Sequence, residues 1–342
     1  MKKFQFGFVA VLPSPMIKVV DFRCGFSNLL VGGQMAQHSS FPVLTEHLRK
    51  LRGGSQPILA RASDGELYAV KFANNLQGRN LLLNEAVGSL LYGACSLPVP
   101  DWTPIEVPES FLDAHREAWI ETETGRLRPQ EGICFASRYL GTNARARLFE
   151  ILPGAYMSRI TNRECFWLAW LIDICAEHTD NRQALFLENG QGALNAVFID
   201  HGHLLGGAKG EQQAPPLASS YLDFRIYKHV SSRQLLRIKS VAQSINTDRI
   251  WQQVQLLPSD WKTVSGLNAL SICLDRLSDA QFLSSAFETI AASNQRAQKY
   301  EPIDHSVRRW PPHGVLCAGI QDSALRRVAS GERGTACVRP QG

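Results

Sequence analysis

Glu177-His178-Thr179-Asp180-Asn181-Arg182-Gln183 is followed, one hairpin later, by Phe198-Ile199-Asp200-His201-Gly202, and these two stretches decide how the rest of the chain is read. Each aspartate borders a short apolar run, Ala184-Leu185-Phe186-Leu187 or Ala196-Val197-Phe198-Ile199. Asn189-Gly190 between the runs is a strong hairpin-turn signal. Pairing the runs brings Asp180 and Asp200 together at the end of the hairpin remote from its turn. Phosphoryl transfer uses such a pair, one carboxylate orienting the attacking hydroxyl and the other holding the magnesium that neutralises the phosphates. The competing reading is a polar turn and a strand-end aspartate, so other segments have to decide.

Upstream, Lys71 stands in Tyr68-Ala69-Val70-Lys71-Phe72, an apolar strand in which an unpaired ammonium is costly to bury. Glu85 lies in the helical pattern Leu83, Ala86, Val87, Leu90, Leu91 and offers it a carboxylate. A lysine on phosphate oxygens, positioned by a helix glutamate, is the arrangement protein kinases use. Taken singly, Lys71 also reads as an edge-strand lysine in water, and Glu85 as a solvated first-turn acid. Before the strand, Arg52-Gly53-Gly54-Ser55-Gln56-Pro57 is a turn whose glycines let backbone amides approach a phosphate and whose serine adds a donor. Residues 58–62 and 66–72 then form a hairpin pattern joined at Asp64-Gly65. Earlier still, Leu44, Leu48 and Leu51 have the spacing of a short amphipathic helix.

Downstream, residues 103–107 read as a short strand before a polar insert at 108–130, and residues 132–141 as a buried strand running into an extended linker. In a two-lobed nucleotide-binding protein, that linker is where the adenine edge meets backbone groups; an ordinary core strand is the alternative. The run from Cys165 to Ile172 is apolar almost all round and predicts a central buried helix delivering its end to Asp180, with Asp173 inside it as a structural acceptor. His178, His201 and His203 lack a zinc-type spacing with a soft ligand. Residues 221–227, 233–242, 247–257, 268–277 and 280–300 predict a helical second lobe.

Composition sets the outer limits. The chain has 342 residues, 44% of them hydrophobic, which is enough for one large two-lobed unit. A net charge of +5 does not demand nucleic acid, and no helix-turn-helix or basic recognition helix is recognisable. Eight cysteines without a C-x-x-C pair read as reduced core residues of a cytoplasmic protein, and no apolar run reaches membrane-helix length. Met1-Lys2-Lys3 and the apolar residues behind it have a faint signal-peptide look that Pro13 and Pro15 interrupt. Residues 1–40 therefore read as a leader, with a strand possible over 16–22, and the proline- and glycine-broken residues 301–342 as a disordered basic tail.

The joint pattern Arg52-Gly53-Gly54-Ser55-Gln56, Tyr68-Ala69-Val70-Lys71-Phe72, Asn84-Glu85, Ser137-Arg138-Tyr139-Leu140-Gly141, Asp180-Asn181-Arg182-Gln183 and Phe198-Ile199-Asp200-His201-Gly202 resembles the bacterial HipA-like kinase domain family over roughly residues 45–300. The resemblance implies an α+β, two-lobed protein-kinase-like fold, with a sheet-rich N-lobe at 41–142 and a mainly helical C-lobe at 143–300. It implies ATP and Mg2+ as cofactors and a protein Ser or Thr as phosphoryl acceptor. By the same resemblance Gly53, Gly54 and Ser55 line the phosphate loop, Lys71 contacts the phosphates, and Glu85 anchors it. Leu140 borders the adenine pocket, Asp180 is the catalytic base, and Asp200 is the metal ligand.

One departure qualifies that expectation. Kinases carry an asparagine five positions beyond the catalytic aspartate, and Leu185 stands there. Asn181 or Gln183 is the candidate substitute as second metal ligand, and Arg182 either stabilises the transferred phosphate or pairs with a neighbouring acid. The alternatives are a pseudokinase that binds nucleotide and acts through a partner protein, and a toxin-antitoxin-like regulatory module with an antitoxin-like partner.

Overall fold

The computed structural model describes residues 41–142, 147–210, 219–228 and 230–300. The expected leader at 1–40, with its strand at 16–22, and the expected tail at 301–342 lie outside the described residues. The first elements are strands β1 (Leu44–Lys50), β2 (Ile58–Ala62) and β3 (Leu67–Lys71), helix α1 (Leu81–Ala94), strand β4 (Trp102–Val107) and the short helix α2 (Glu109–Ala114). A small hairpin of β5 (Ile120–Thr122) and β6 (Gly125–Leu127) leads into β7 (Gly132–Arg138). Then come β8 (Leu148–Phe149), α3 (Cys165–Cys175), the hairpin strands β9 (Gln183–Glu188) and β10 (Leu194–Ile199), and helices α4 (Ser232–Gln243), α5 (Thr247–Gln255), α6 (Val264–Ser278) and α7 (Ala280–Tyr300).

The five-stranded sheet has the order β1-β2-β3-β7-β4, and all of its neighbours are antiparallel. A bridge from Val43 to Glu106 ties its two edges together, which curls the sheet around its own apolar face. Period-two alternation sorts the side chains. Tyr68, Val70, Cys134 and Ala136 enter the core inside the sheet, where Phe111 and Leu112 of α2 plug it. Lys71 and Phe135 therefore belong to the opposite face, toward α1 and the helical region, and Phe135 joins the larger core there.

The segment at 44–51, expected as a helix, is a strand. Its pairing with β2 slips between Leu44 and Glu46 and again between His47 and Arg49. Such bulges destroy the two-residue alternation by which a strand is recognised, and the leucines fell by coincidence at helical spacing. Leu48 is accordingly 40% exposed rather than on a buried stripe. The helix expected over 221–227 is only a 3-10 turn, Phe224–Tyr227, and the polar insert carries α2, β5 and β6.

In the second half, α3 is buried nearly all round, with Phe166, Trp170, Leu171 and Ile172 without exposed surface. Each such side chain contributes about 1.5–3 kcal/mol when removed from water. Helices α4, α5 and α6 open on side-chain caps: Ser231 accepts from the Gln234 amide, Asn246 from Arg249 and Thr263 from Gly266. The result is an N-terminal antiparallel sheet followed by a mostly helical region.

Candidate active site

Three elements deliver charged side chains to one point. Lys71 ends β3 on the face turned toward α1, and Glu85 rises from the first turns of that helix. Asp200 follows the last residue of β10. Lys71 Nζ pairs with Glu85 Oε1 and lies 2.7 Å from Asp200 Oδ1. The second Glu85 oxygen accepts from the His201 amide at 3.2 Å. Asp200 Oδ2 accepts from Gln183 Nε2 at 2.8 Å, so both of its oxygens are engaged. Asp200 itself adopts a left-handed backbone with φ 61°, a conformation costing about 1 kcal/mol or more for a side chain with a Cβ. Its neighbours hold it there.

Burial alone would drive these groups to their neutral forms, and mutual pairing opposes that. For Lys71, burial lowers the pKa, but the carboxylates of Asp200 and Glu85 outweigh it and hold the ammonium charged. Burial raises the Asp200 carboxyl, yet the Lys71 ammonium wins and keeps it well below the usual carboxylate range. Glu85 goes the other way. Burial pushes it up more than Lys71 pulls it down, and the charge on Asp200 adds to the rise. The ammonium is thus held by both carboxylates at once.

The β9–β10 register pairs Gln183 with Ile199, which sets residues 180–182 beside residues 200–202. The Thr179 amide donates to the His203 carbonyl at 2.9 Å. Asp180 is half-buried, its carbonyl accepts from His178 Nδ1 at 2.6 Å, and its Oδ1 accepts from the Asn181 amide at 2.7 Å. Among the described residues no lysine or arginine pairs with its carboxylate. Asp180 therefore stays available at the same end of the hairpin as Asp200.

Arg182 does not face this cleft. It is 2% exposed and points inward, with Nε 3.0 Å from Asp173 Oδ2, a carboxylate with no exposed surface. Its other nitrogens donate to the carbonyls of Ile199 at 3.2 Å and Asp200 at 3.3 Å, and reach His178 Nε2 and His201 Nδ1. Of the two roles open to Arg182 in the sequence, pairing with an acid is the one its position allows; contact with a transferred phosphate is not. Asp173 also accepts from Tyr92 Oη at 2.9 Å, and burial pushes its carboxyl up to about 6 against the pull of Arg182.

The remaining expected residues are placed as follows. Gly53 and Gly54 are exposed in the β1–β2 turn, and a Cβ on Gly54 would sit 2.8 Å from Gln77 Nε2. That same nitrogen lies 3.1 Å from His203 Nε2, so the glycine turn approaches the segment behind Asp200 through Gln77. Ser55 is 4% exposed, and its carbonyl is held by Asn75 Nδ2 at 2.6 Å. Leu140 opens the 3-10 turn Leu140–Thr142 directly after β7 and is half-buried. Asn181 turns its Nδ2 toward the Ser220 carbonyl at 3.4 Å, whereas Gln183 touches Asp200. Sequence reasoning passed over Gln77, quoted Asn84 only beside Glu85 in the joint pattern, and weighed His203 only as a zinc ligand. The signal for Asn84 was an amide in an otherwise apolar helix.

Among the described residues no group of three His, Cys, Asp or Glu side chains is arranged to hold a metal by itself. Magnesium needs less, because it takes one or two carboxylates and draws its other oxygens from phosphates and water. Asp200 is a carboxylate of that kind at the Lys71–Glu85 cluster, and Asp180 lies at the same end of the hairpin.

Residues 45–151 match the HipA-like kinase family. No curated protein matches the chain in sequence. Among solved structures, the chain is similar to a Helicobacter pylori proinflammatory kinase, CtkA, at 13% identity and a TM-score of 0.45, covering 74% of this chain and 97% of that one. It is also similar to the Golgi casein kinase at 9% identity and a TM-score of 0.43, covering 74% and 75%. Hydra Fam20 with sugar follows at 12% identity and a TM-score of 0.40, covering 74% and 88%. The HipA-like match includes the glycine turn, Lys71, Glu85 and Leu140, and ends before Asp180 and Asp200.

Proposed function

We propose that this chain is an ATP-dependent phosphotransferase that transfers a phosphoryl group to a Ser or Thr hydroxyl of a protein. The observation that carries the reading is the convergence of Lys71, Glu85 and Asp200 from three separate elements on one point. In this reading the Lys71 ammonium, held charged and aimed by Glu85, binds phosphate oxygens. Gly53 and Gly54 bring backbone amides over the phosphates, and Leu140 with its neighbouring backbone borders the base. Asp180 accepts the proton of the attacking hydroxyl, a role open to a carboxylate that no lysine or arginine among the described residues pairs with. Magnesium on Asp200, with Gln183 beside it, would neutralise charge on the phosphates. An antitoxin-like protein partner belongs to the same proposal.

The test is transfer of labelled γ-phosphate from magnesium-ATP by the full chain, to itself or to proteins of a lysate, followed by phosphoamino-acid analysis. Transfer to Ser or Thr, abolished in Asp180→Ala, is the expected result. A second reading has its own support. Leu185, half-buried in β9, occupies the position where kinases place a metal-binding asparagine, which favours a pseudokinase that binds nucleotide without turning it over. Saturable nucleotide binding with no transfer, unchanged in Asp180→Ala, selects that reading.

A further inference from the structure

Beyond the charged cluster, α1 and the segment behind Asp200 are joined by a seam of neutral groups. Asn84 has no exposed surface, and its Nδ2 lies 2.9 Å from the Gly202 carbonyl, 2.6 Å from that of Leu204 and 3.3 Å from that of Gly207. One helical turn earlier, the Asn80 amide donates to the Ala208 carbonyl at 2.9 Å. One turn later the backbone itself makes the contact, because a Cβ on Gly88 would fall 2.3 Å from His201 Cβ. Gly202 answers from the other side, with Leu81 Cδ1 only 2.3 Å from where its Cβ would stand and Glu85 Oε1 at 3.0 Å. Positions 80, 84 and 88 form one stripe of the helix, and residues 201–208 lie along it.

Two consequences follow from chemistry alone. Asn84 directly precedes Glu85, so the contacts that fix one also fix the carboxylate that holds Lys71. The seam also uses amides, carbonyls and close packing rather than charge. Where a segment is ordered by phosphorylation, a phosphate on Ser, Thr or Tyr recruits an arginine. Residues 201–218 contain no Ser, Thr or Tyr.

We propose that Asn84 is a positioning residue that keeps the Lys71–Glu85–Asp200 cluster permanently assembled, so that the site needs no phosphorylation of the segment behind Asp200. Its catalytic consequence rests on the phosphotransferase reading; its geometry does not.

The test has two arms, both on the full chain after phosphatase treatment, with absence of phosphate verified by mass. In the first, hydrogen exchange is followed in peptides covering residues 78–90 and 199–208. Both are expected to be protected in the dephosphorylated wild type. In Asn84→Ala both should exchange faster together, by roughly tenfold, the worth of one good hydrogen bond, while β9 is unchanged. Asn84→Ser, which retains one donor, serves if the alanine variant does not fold. Free exchange of 199–208 in the dephosphorylated wild type, or unchanged exchange in the variants, overturns the proposal. In the second arm, dephosphorylated wild type should keep full turnover. Asn84→Ala should lose about 10- to 100-fold in kcat, with the nucleotide KM moved less than about threefold. Unchanged turnover in Asn84→Ala overturns the catalytic part of the proposal. A wild type that transfers no phosphate removes the phosphotransferase reading, and the exchange arm then decides the seam by itself.

Discussion

Lys71 and Arg182 are both buried cations, and their environments assign them different work. Lys71 sits 11% exposed between two carboxylates at the cleft, whereas Arg182 is enclosed behind it. Replacing Lys71 with methionine should abolish magnesium-nucleotide binding and cost roughly 3–5 kcal/mol of stability, because Glu85 and Asp200 are left facing each other without a counter-ion. Calorimetric titration and urea unfolding read the two effects. Arg182→Met should destabilise by a similar amount, since it strands the Asp173 carboxylate and releases the Ile199 and Asp200 carbonyls. Adding Asp173→Asn should recover part of that loss, and strict additivity in urea titrations would refute the pairing. The sequence made Lys71 and Glu85 legible as partners because a charge inside an apolar strand demands one, whereas the direct contact of Lys71 with Asp200, read there as a metal ligand, was not legible. Which way Arg182 points was not legible: its partner lies nine positions earlier, and only the packing of α3 against the β9–β10 hairpin brings the two together.

At the level of elements, helix α1 carries the most. It supplies Glu85 to the cleft, Leu83 and Leu91 to the larger core, and the Asn80–Asn84–Gly88 stripe to the segment behind Asp200. Gly88→Ala should therefore act at a distance from its own size. The added methyl has no room against His201, so the variant should lose about 1–3 kcal/mol and show a lower melting temperature with weakened nucleotide binding. An unchanged melting temperature would mean the seam yields more easily than its spacing implies. Most elements of this half and the next could be read from periodicity and turn residues, including the β2–β3 hairpin at Asp64-Gly65 and the β9–β10 hairpin at Asn189-Gly190. β1 could not, since two register slips in one strand of seven residues erase the pattern that identifies strands.

For the molecule as a whole, the buried imidazoles predict how stability responds to acid. Burial, and then the Arg182 charge, hold His178 and His201 well below their ordinary 6.5. Below pH about 6.5 the unfolded chain binds protons at both positions and the folded chain does not, so stability should fall by up to about 1.4 kcal/mol per pH unit for each ring. Asp173, raised to about 6, works in the opposite sense. The folded chain protonates it first, which offsets roughly one ring as the pH falls from 6 toward 4. Urea midpoints should drop between about pH 7.5 and 5.5, and a flat or rising midpoint would contradict the burial of the rings.

The larger core does not respect the boundary between sheet and helices. Trp102 stacks on Phe135, Phe135 meets the Trp261 ring, and Trp261 Nε1 donates to the Ile133 carbonyl of β7 at 3.0 Å. The two halves are consequently not cartridges. Grafting residues 41–142 onto another catalytic half, or producing them alone, would strip α1 of the surface that hides its leucines and should yield an aggregating fragment rather than a small folded module.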